Sequence, residues 1–272
     1  MSSRLVNRIT DTDIDTFERD GAVCLRQMFG QEWLDLLAQG VENAMSSSGR
    51  YTRQQSGDDD PGLYFSDYWA SQRTPALREF VLNSPAAHIT KDILRSSRIN
   101  FFYDAVWVKE PGTQKRGAWH QDQPYYCVDG KQICIVWVPI DPVPKEVCLQ
   151  LVRGSHRWGK SFAPIRFVDG GGYGRADHGY EPMPDIDNNL DQYEILSWEL
   201  SPGDCIIFQG MLIHGSPSNI TGGRRRAVST TWLGDDTTYI ERPGEMEPHP
   251  LEHNLKPGDS LDCDTFPRIL PR

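Results

Sequence analysis

The stretch QICIVWVPI, residues 132–140, is an apolar run broken only near its end by Pro139. Five more short apolar or alternating runs follow the same pattern and are separated by Gly, Pro and Asp: residues 101–108, 148–152, 193–200, 204–208 and 226–233. Short runs rich in β-branched and aromatic residues, with turn-forming residues between them, are typical of β-strands. The sequence therefore predicts a β core over about residues 100–234.

The first third of the chain has a helical pattern instead. Thr10 precedes an acidic segment that stops at Gly21, which predicts a short capped helix. Residues 22–26 are consistent with a strand, and apolar residues at helical spacing predict a helix over 31–45. Residues 77–94 predict one or two more helices, broken around Ser84-Pro85. We expect these elements, mainly within residues 10–95, to pack against the β core.

Two polar segments interrupt these patterns. Residues 46–67 are rich in Gly and Asp and predict a loop, and residues 166–192 form a long polar insertion. Insertions of this length are more often lids than spacers, so we expect segments 46–69 and 166–192 to cap a substrate. Two or three pocket residues are expected from Tyr125, Tyr126 and the 64–69 cluster. No internal repeat or linker is visible, which predicts a single domain over 1–272 with an extended tail at 235–272.

Charge and composition narrow the classes of partner. The formal net charge of the 272 residues is −10, and Arg224-Arg225-Arg226 is the only run of three basic residues. An acidic surface argues against nucleic acid and anionic membranes as partners. No window approaches 18 apolar residues, no secretory signal is visible, and the six cysteines contain no C-x-x-C pair. We expect a cytoplasmic protein with free thiols; a homo-oligomer is possible.

The segment His120-Gln121-Asp122 is the first candidate for chemistry. In an extended backbone, the side chains of residues i and i+2 point to the same side, so His120 and Asp122 can bind one metal ion together. His214 follows another apolar run and a Gly210 turn. Two histidines and one carboxylate leave metal positions open, as in non-haem Fe(II) oxygenases, whereas a structural metal is enclosed by protein ligands.

A basic residue completes the set. Arg225 lies at the start of the last predicted strand, 11 residues after His214. A guanidinium near a metal suits bidentate capture of a carboxylate. Arg226 is the second choice for this role, and Arg224 is the one that best fits a plain surface position.

Taken together, these motifs resemble the phytanoyl-CoA dioxygenase (PhyH) family of Fe(II)/2-oxoglutarate-dependent oxygenases, from about Thr10 to Gly234. The resemblance rests on the order and spacing of five pieces: His120-Gln121-Asp122, Arg153-Gly154-Ser155-His156, His214-Gly215-Ser216, Asn219 and Arg225-Arg226-Ala227. It implies a mainly β fold with a double-stranded β-helix (jelly-roll, cupin-like) core. Two departures, Glu146-Val147-Cys148 and Arg153, fall where relatives commonly have Asn-Gly and proline, and they leave the substrate open.

The resemblance also implies residue roles. His120, Asp122 and His214 match the iron ligands, and Arg225 matches the arginine that pairs with the C5 carboxylate of 2-oxoglutarate. Ser216 and Trp137 match positions that flank the co-substrate, and Gln121 is placed with them. The implied reaction uses Fe(II), 2-oxoglutarate and O2, releases succinate and CO2, and hydroxylates an unidentified small or medium organic substrate.

Several alternatives stay open at this point. The same cofactors support desaturation, epoxidation or ring expansion, and a jelly-roll can also be a non-catalytic ligand-binding protein. Asp122 argues against halogenation, because halogenases of this type lack the carboxylate ligand.

Two further motifs are set aside. His249-Pro250-Leu251-Glu252-His253 matches a zinc-protease pattern but contains a proline that opposes the required helix, and Gly258-Asp259-Ser260-Leu261 is expected to be a turn.

Overall fold

The computed structural model describes residues 7–167, 171–172, 178–244 and 251–271. It has four α-helices: α1 (Asp11–Asp20), α2 (Gln31–Ser46), α3 (Pro75–Asn83) and α4 (Ala86–Leu94). Short 3-10 turns lie at Ala70–Gln72, Gln123–Tyr125, Lys145–Val147, Ser155–Arg157 and Leu190–Gln192. Across the residues that the structure describes, no helix combines the length and apolar character that a bilayer crossing demands.

Fourteen strands lie in the described ranges. The first seven are β1 (Ala22–Leu25), β2 (Thr52–Gln54), β3 (Tyr64–Tyr68), β4 (Ile99–Lys109), β5 (Gly117–His120), β6 (Val128–Asp129) and β7 (Ile133–Pro139). The other seven are β8 (Gln150–Val152), β9 (Ile195–Leu196), β10 (Cys205–Gln209), β11 (His214–Ser216), β12 (Arg225–Leu233), β13 (Thr238–Tyr239) and β14 (Arg268–Leu270).

The strands form a major sheet, a minor sheet and a two-stranded pair, all antiparallel. The major sheet has the order β1-β10-β7-β12-β4-β3-β2, and β14 also pairs with β4. The minor sheet has the order β5-β11-β8-β9, and β13 pairs with β6. Residues of both main sheets line one cavity, including Trp137 and Arg225 from the major sheet and His120 and His214 from the minor sheet. The mainly β jelly-roll prediction is confirmed.

The two faces of the major sheet have different neighbours. In β7, Val136 and Val138 belong to the same apolar cluster as residues of all four helices. Ile135 and Trp137, which alternate with them, line the cavity instead. Successive strand residues point to opposite faces of a sheet, so one face is covered by the helices and the other faces the site.

The helix predictions agree with the structure. Thr10 caps α1 in a capping box with Asp13, and Gly21 ends the helix in the left-handed conformation with φ of 82°. The predicted break at Ser84-Pro85 separates α3 from α4. Pro85 cannot supply the backbone N–H that a continuous helix would need there.

Two of the loop and tail predictions are wrong in part. The predicted loop 46–67 contains β2 and β3, and β3 is buried along its length because it pairs with β4. The tail is also integrated: β14 pairs with β4, and Leu261 and Phe266 are fully buried. The predicted strand at 193–200 shrinks to β9, with Leu200 making only an isolated bridge to Val143.

Lys109, the last residue of β4, is completely buried. Its Nζ donates hydrogen bonds to the carbonyl oxygens of Lys115 (2.9 Å) and Pro217 (2.7 Å) and lies 3.1 Å from Ser216 Oγ. The same nitrogen lies 4.3 Å from the centre of the Tyr64 ring. Burial, together with the nearby charge of Arg225, lowers the pKa of Lys109 to about 6. Lys109 therefore ties the segments after β4 and β11 to the major sheet.

Lys109 makes folding stability depend on pH. Its ordinary pKa of 10.5 lies above its folded value, so between the two the unfolded chain binds more protons and stability rises with pH. We expect the wild type to gain in free energy of unfolding relative to Lys109→Met between pH 6.5 and 8.5, by up to about 1 kcal/mol per pH unit. Urea denaturation of both proteins at several pH values measures this. A difference in free energy of unfolding between the two proteins that stays constant, or that shrinks as pH rises, would contradict this prediction.

Candidate metal centre and cavity

Strand register brings the two predicted histidines together. β5 and β11 are antiparallel neighbours, and His120 is the direct cross-strand partner of His214. Cross-strand partners point to the same face of a sheet with their Cβ atoms about 5 Å apart. The two imidazole ring centres lie 4.2 Å apart. Residues distant in sequence thus become neighbours through one pair of short strands.

Asp122 reaches the same point by a different route from the one predicted. It lies beyond the end of β5, with φ −78° and ψ −47°, so the backbone over 120–122 is not fully extended. The backbone N–H groups of Asp122 and Gln123 both donate to the Gly210 carbonyl, at 3.0 and 2.9 Å. This turn brings Oδ1 of Asp122 to 3.2 Å from Nε2 of His120 and 3.8 Å from Nε2 of His214.

Backbone carbonyls orient both imidazoles. Nδ1 of His120 lies 2.8 Å from the Ala118 carbonyl oxygen, and Nδ1 of His214 lies 3.0 Å from that of Leu212. Because a carbonyl oxygen only accepts, each Nδ1 carries the proton and each Nε2 keeps its lone pair. This arrangement of the outer nitrogen is usual for metal-ligating histidines. The ligand atoms of the three side chains all lie within 4.8 Å of one another.

The surroundings favour the metal-binding protonation states of His214 and Asp122. Burial and the neighbouring His120 lower the pKa of His214 to about 4, so its ring is neutral at pH 7. Burial alone would raise the pKa of Asp122, but the adjacent His214, His120 and Tyr126 side chains outweigh it and lower the pKa. Tyr126 is fixed in turn by a 2.8 Å hydrogen bond to the Tyr103 hydroxyl.

The donor set fits a catalytic divalent metal better than a structural one. Two imidazole nitrogens and one carboxylate oxygen can occupy one face of an ion, while the cavity lies on the other side. A structural zinc site has four protein ligands in a closed shell. The two-His, one-carboxylate set with open positions is the arrangement used by non-haem Fe(II) oxygenases.

Arg225 is buried at one end of the cavity. Its side chain is only 5% exposed, and its Nη1 donates to the carbonyl oxygen of Val147. In the described part of the chain no carboxylate lies within ion-pair distance of it. A buried guanidinium without an anionic partner is costly, so this position favours an anionic ligand. Ser216 and Trp137 line the cavity as well.

The neighbouring arginines are engaged elsewhere. Arg224 pairs with Glu110 and Glu42, and Arg226 pairs with Asp141 and Glu42. Arg226, the second choice for carboxylate binding, therefore points away from the cavity. Alternation along β12 explains the difference, since adjacent residues face opposite sides of the sheet.

Gln121, which was placed with the co-substrate residues, does not line the cavity. Its Nε2 donates to the carbonyl oxygens of Lys160 and Met211, and its Oε1 accepts from the Phe162 N–H. It follows β5, so its side chain points opposite to that of His120. Gln121 therefore anchors the loops around the site, and the expectation that it binds the co-substrate is wrong.

The two motifs that were set aside do not form a second site in the described residues. His253 packs against Tyr239 and Phe266, and its partner His249 lies outside the described residues. Gly258 has a positive φ of 93° in a turn, as expected.

The cavity has a volume of about 160 Å³, and its lining includes Arg225, the three candidate ligand side chains and residues of β3. Several expected pocket residues line it: Tyr64, Tyr68, Tyr125 and Tyr126, with Ile165, Arg166 and Phe167 at the insertion. Both predicted capping segments thus contribute to its wall. Gln55 follows β2 directly, and it was not predicted as a pocket residue because the polar sequence around it is typical of a loop.

Comparison with known proteins places this geometry in a family. The phytanoyl-CoA dioxygenase (PhyH) family model matches residues 17–227. A probable phytanoyl-CoA dioxygenase of Caenorhabditis elegans is 28% identical over 182 residues, which cover 64% of this chain and 56% of that protein. The 1-deoxypentalenic acid 11-beta-hydroxylase of Streptomyces exfoliatus is 25% identical over 170 residues, which cover 61% of this chain and 56% of that protein. The matched region thus spans little more than half the length of either relative.

Among solved structures, the non-haem α-ketoglutarate-dependent carbocyclase SnoK from nogalamycin biosynthesis shares the fold. Its TM-score is 0.75 at 19% identity, and the match covers 98% of this chain and 99% of that one. The similarity extends over the helices, both sheets and the C-terminal residues. On the family match across most of its length, this chain belongs to the phytanoyl-CoA dioxygenase family.

Proposed function

We propose that the protein is an Fe(II)- and 2-oxoglutarate-dependent dioxygenase that hydroxylates a small or medium organic molecule. One observation carries the proposal: a His-Asp-His ligand set and a buried arginine without a carboxylate partner face the same cavity. The first feature suits Fe(II), and the second suits the far carboxylate of a dicarboxylic acid. SnoK is named a non-haem α-ketoglutarate-dependent enzyme and the nematode relative a probable dioxygenase, and both names support this cofactor class.

Each residue of the site has a role in this proposal. His120, Asp122 and His214 would hold iron, which with 2-oxoglutarate and O2 would supply the oxidising chemistry and release succinate and CO2. Arg225 would bind the C5 carboxylate, and the Ser216 hydroxyl, 3.1 Å from Lys109 Nζ, would donate to it. Trp137 and the tyrosines of the wall exclude water, which strengthens the charge interactions inside the cavity.

The reaction outcome depends on which bond of the substrate is presented to the metal. The relative named as a hydroxylase favours hydroxylation, and the carbocyclase shows that the same fold serves another outcome. The cytoplasmic location and the possible homo-oligomer stay predictions.

Removing one ligand should abolish iron binding. We expect Asp122→Ala and His214→Ala to retain less than about one-tenth of the wild-type iron after anaerobic reconstitution, because two remaining donors hold Fe(II) weakly. Metal analysis of the desalted proteins, with circular dichroism to confirm folding, measures this. His178→Ala, at an exposed position, is the matched control and should keep full iron content. Wild-type iron content in either ligand variant would overturn the assignment.

Removing the buried guanidinium should separate co-substrate binding from iron binding. We expect Arg225→Gln to raise the KM for 2-oxoglutarate about 100-fold, since breaking a desolvated charge pair costs several kcal/mol. Iron content should be unchanged. The measurement is succinate formation as a function of 2-oxoglutarate concentration.

The adjacent position supplies the control for this variant. Arg226→Gln removes a guanidinium that pairs with Asp141 outside the cavity, so its KM should match that of the wild type. Equal effects of the two substitutions would show that neither arginine is specific for the co-substrate.

A further inference from the structure

Gln55 presents an unsatisfied acceptor at the cavity. Its side chain is buried, at 4% exposed, and it lines the cavity. Its Nε2 donates to Ser66 Oγ at 2.9 Å, and its backbone N–H donates to the Tyr64 carbonyl at 2.7 Å. Within the described ranges, Oε1 is buried and accepts no hydrogen bond. A buried acceptor without a donor costs about 1–3 kcal/mol, so Oε1 is a position where a ligand donor would be stabilised.

Gln55 is far from the carboxylate end. The strand order β12-β4-β3-β2 puts three strand spacings between Arg225 and the β2 edge, or about 14 Å of backbone separation. Nε2 already donates one of its two N–H groups to Ser66, whereas Oε1 accepts no hydrogen bond, so the unsatisfied atom is an oxygen. A carboxylate would be repelled by that oxygen, whereas a hydroxyl group would donate to it. Gln55 therefore suits the primary substrate and not 2-oxoglutarate.

The wall beside Gln55 is aromatic and held in place. The rings of Tyr68 and Trp107 meet edge to face, with centres 5.5 Å apart, and Trp107 Nε1 donates to Ser229 Oγ at 2.9 Å. Near the metal ligands, the Phe167 ring meets that of His120 edge to face at 4.7 Å. Fixed aromatic side chains of this kind favour contact with another ring.

We propose that the primary substrate is an uncharged, ring-bearing molecule that donates a hydrogen bond from a hydroxyl group to Oε1 of Gln55. The inference rests on the proposed function and names the substrate class of the same site. Gln55 is then a residue that determines specificity. Arg53 and Arg166 also line the cavity, which makes an anionic substrate the competing chemistry. Nη1 of Arg53 already donates to the backbone carbonyls of Arg50 and Thr52. Nη1 of Arg166 already donates to the backbone carbonyl of Gly172.

Three small probes separate these chemistries: 4-hydroxyacetophenone, which has the donor; 4-methoxyacetophenone, which lacks it; and 4-acetylbenzoate, which is anionic. Binding to the full-length protein is measured by calorimetric titration at pH 6.5, with excess 2-oxoglutarate present to occupy the Arg225 end. We expect the hydroxyl probe to bind the wild type at least about tenfold more tightly than the methoxy probe, because a buried site built for a donor rejects an analogue without one.

Variants of Gln55 locate the preference. Gln55→Met keeps the volume and removes the acceptor, so the ratio between the two neutral probes should fall to about 1. Gln55→Glu keeps an acceptor oxygen and should keep the preference for the hydroxyl probe. Equal binding of the neutral probes to the wild type, an unchanged ratio in Gln55→Met, tightest binding of the anionic probe, or no binding of any probe at millimolar concentration would each overturn the inference. The succinate assay on the wild type reports separately on the proposed function, since probe binding requires no turnover.

Discussion

The pairing of β5 with β11 is the constraint on which the site depends. It sets His120 opposite His214, and because side chains alternate along a strand, a slip of one residue would turn one imidazole away. At Gly117 the two strands approach closely, and a Cβ there would lie 2.6 Å from Ser216 Oγ and would displace that hydroxyl. The Gly210 carbonyl then fixes the turn that delivers Asp122. The positions of the metal ligands are thus set by the register of the two strands and not by a local sequence motif alone.

Charge is distributed along the cavity by the same alternation. At the start of β12, Arg225 faces the cavity, whereas its neighbours Arg224 and Arg226 pair with carboxylates outside it. Lys109 lies beside Arg225 in the register of β4 and β12, and burial keeps its pKa low. Arg225, the ligand set and Gln55 therefore give one cavity three chemically distinct positions.

Much of this arrangement could be predicted from the sequence, and the exceptions have physical causes. The helices, the β core and the ligand residues carry local signals, such as caps, apolar runs and the H-x-D spacing. Gln121 was misplaced although strand alternation already turns it away from His120. β2 and β3 could not be found locally, because their polar residues suit strands only in the assembled sheet, where β3 pairs with β4 and β2 pairs with β3. The unsatisfied acceptor Oε1 of Gln55 likewise exists only in the assembled cavity and has no local sequence signal.

The central claim is that one bound iron and one 2-oxoglutarate share this cavity and touch each other. An anaerobic absorption spectrum of the protein with Fe(II), recorded before and after addition of 2-oxoglutarate, tests it most directly. We expect a visible charge-transfer band that appears only when Fe(II) and 2-oxoglutarate are both present. Stoichiometric iron binding with no new band at saturating 2-oxoglutarate would contradict it.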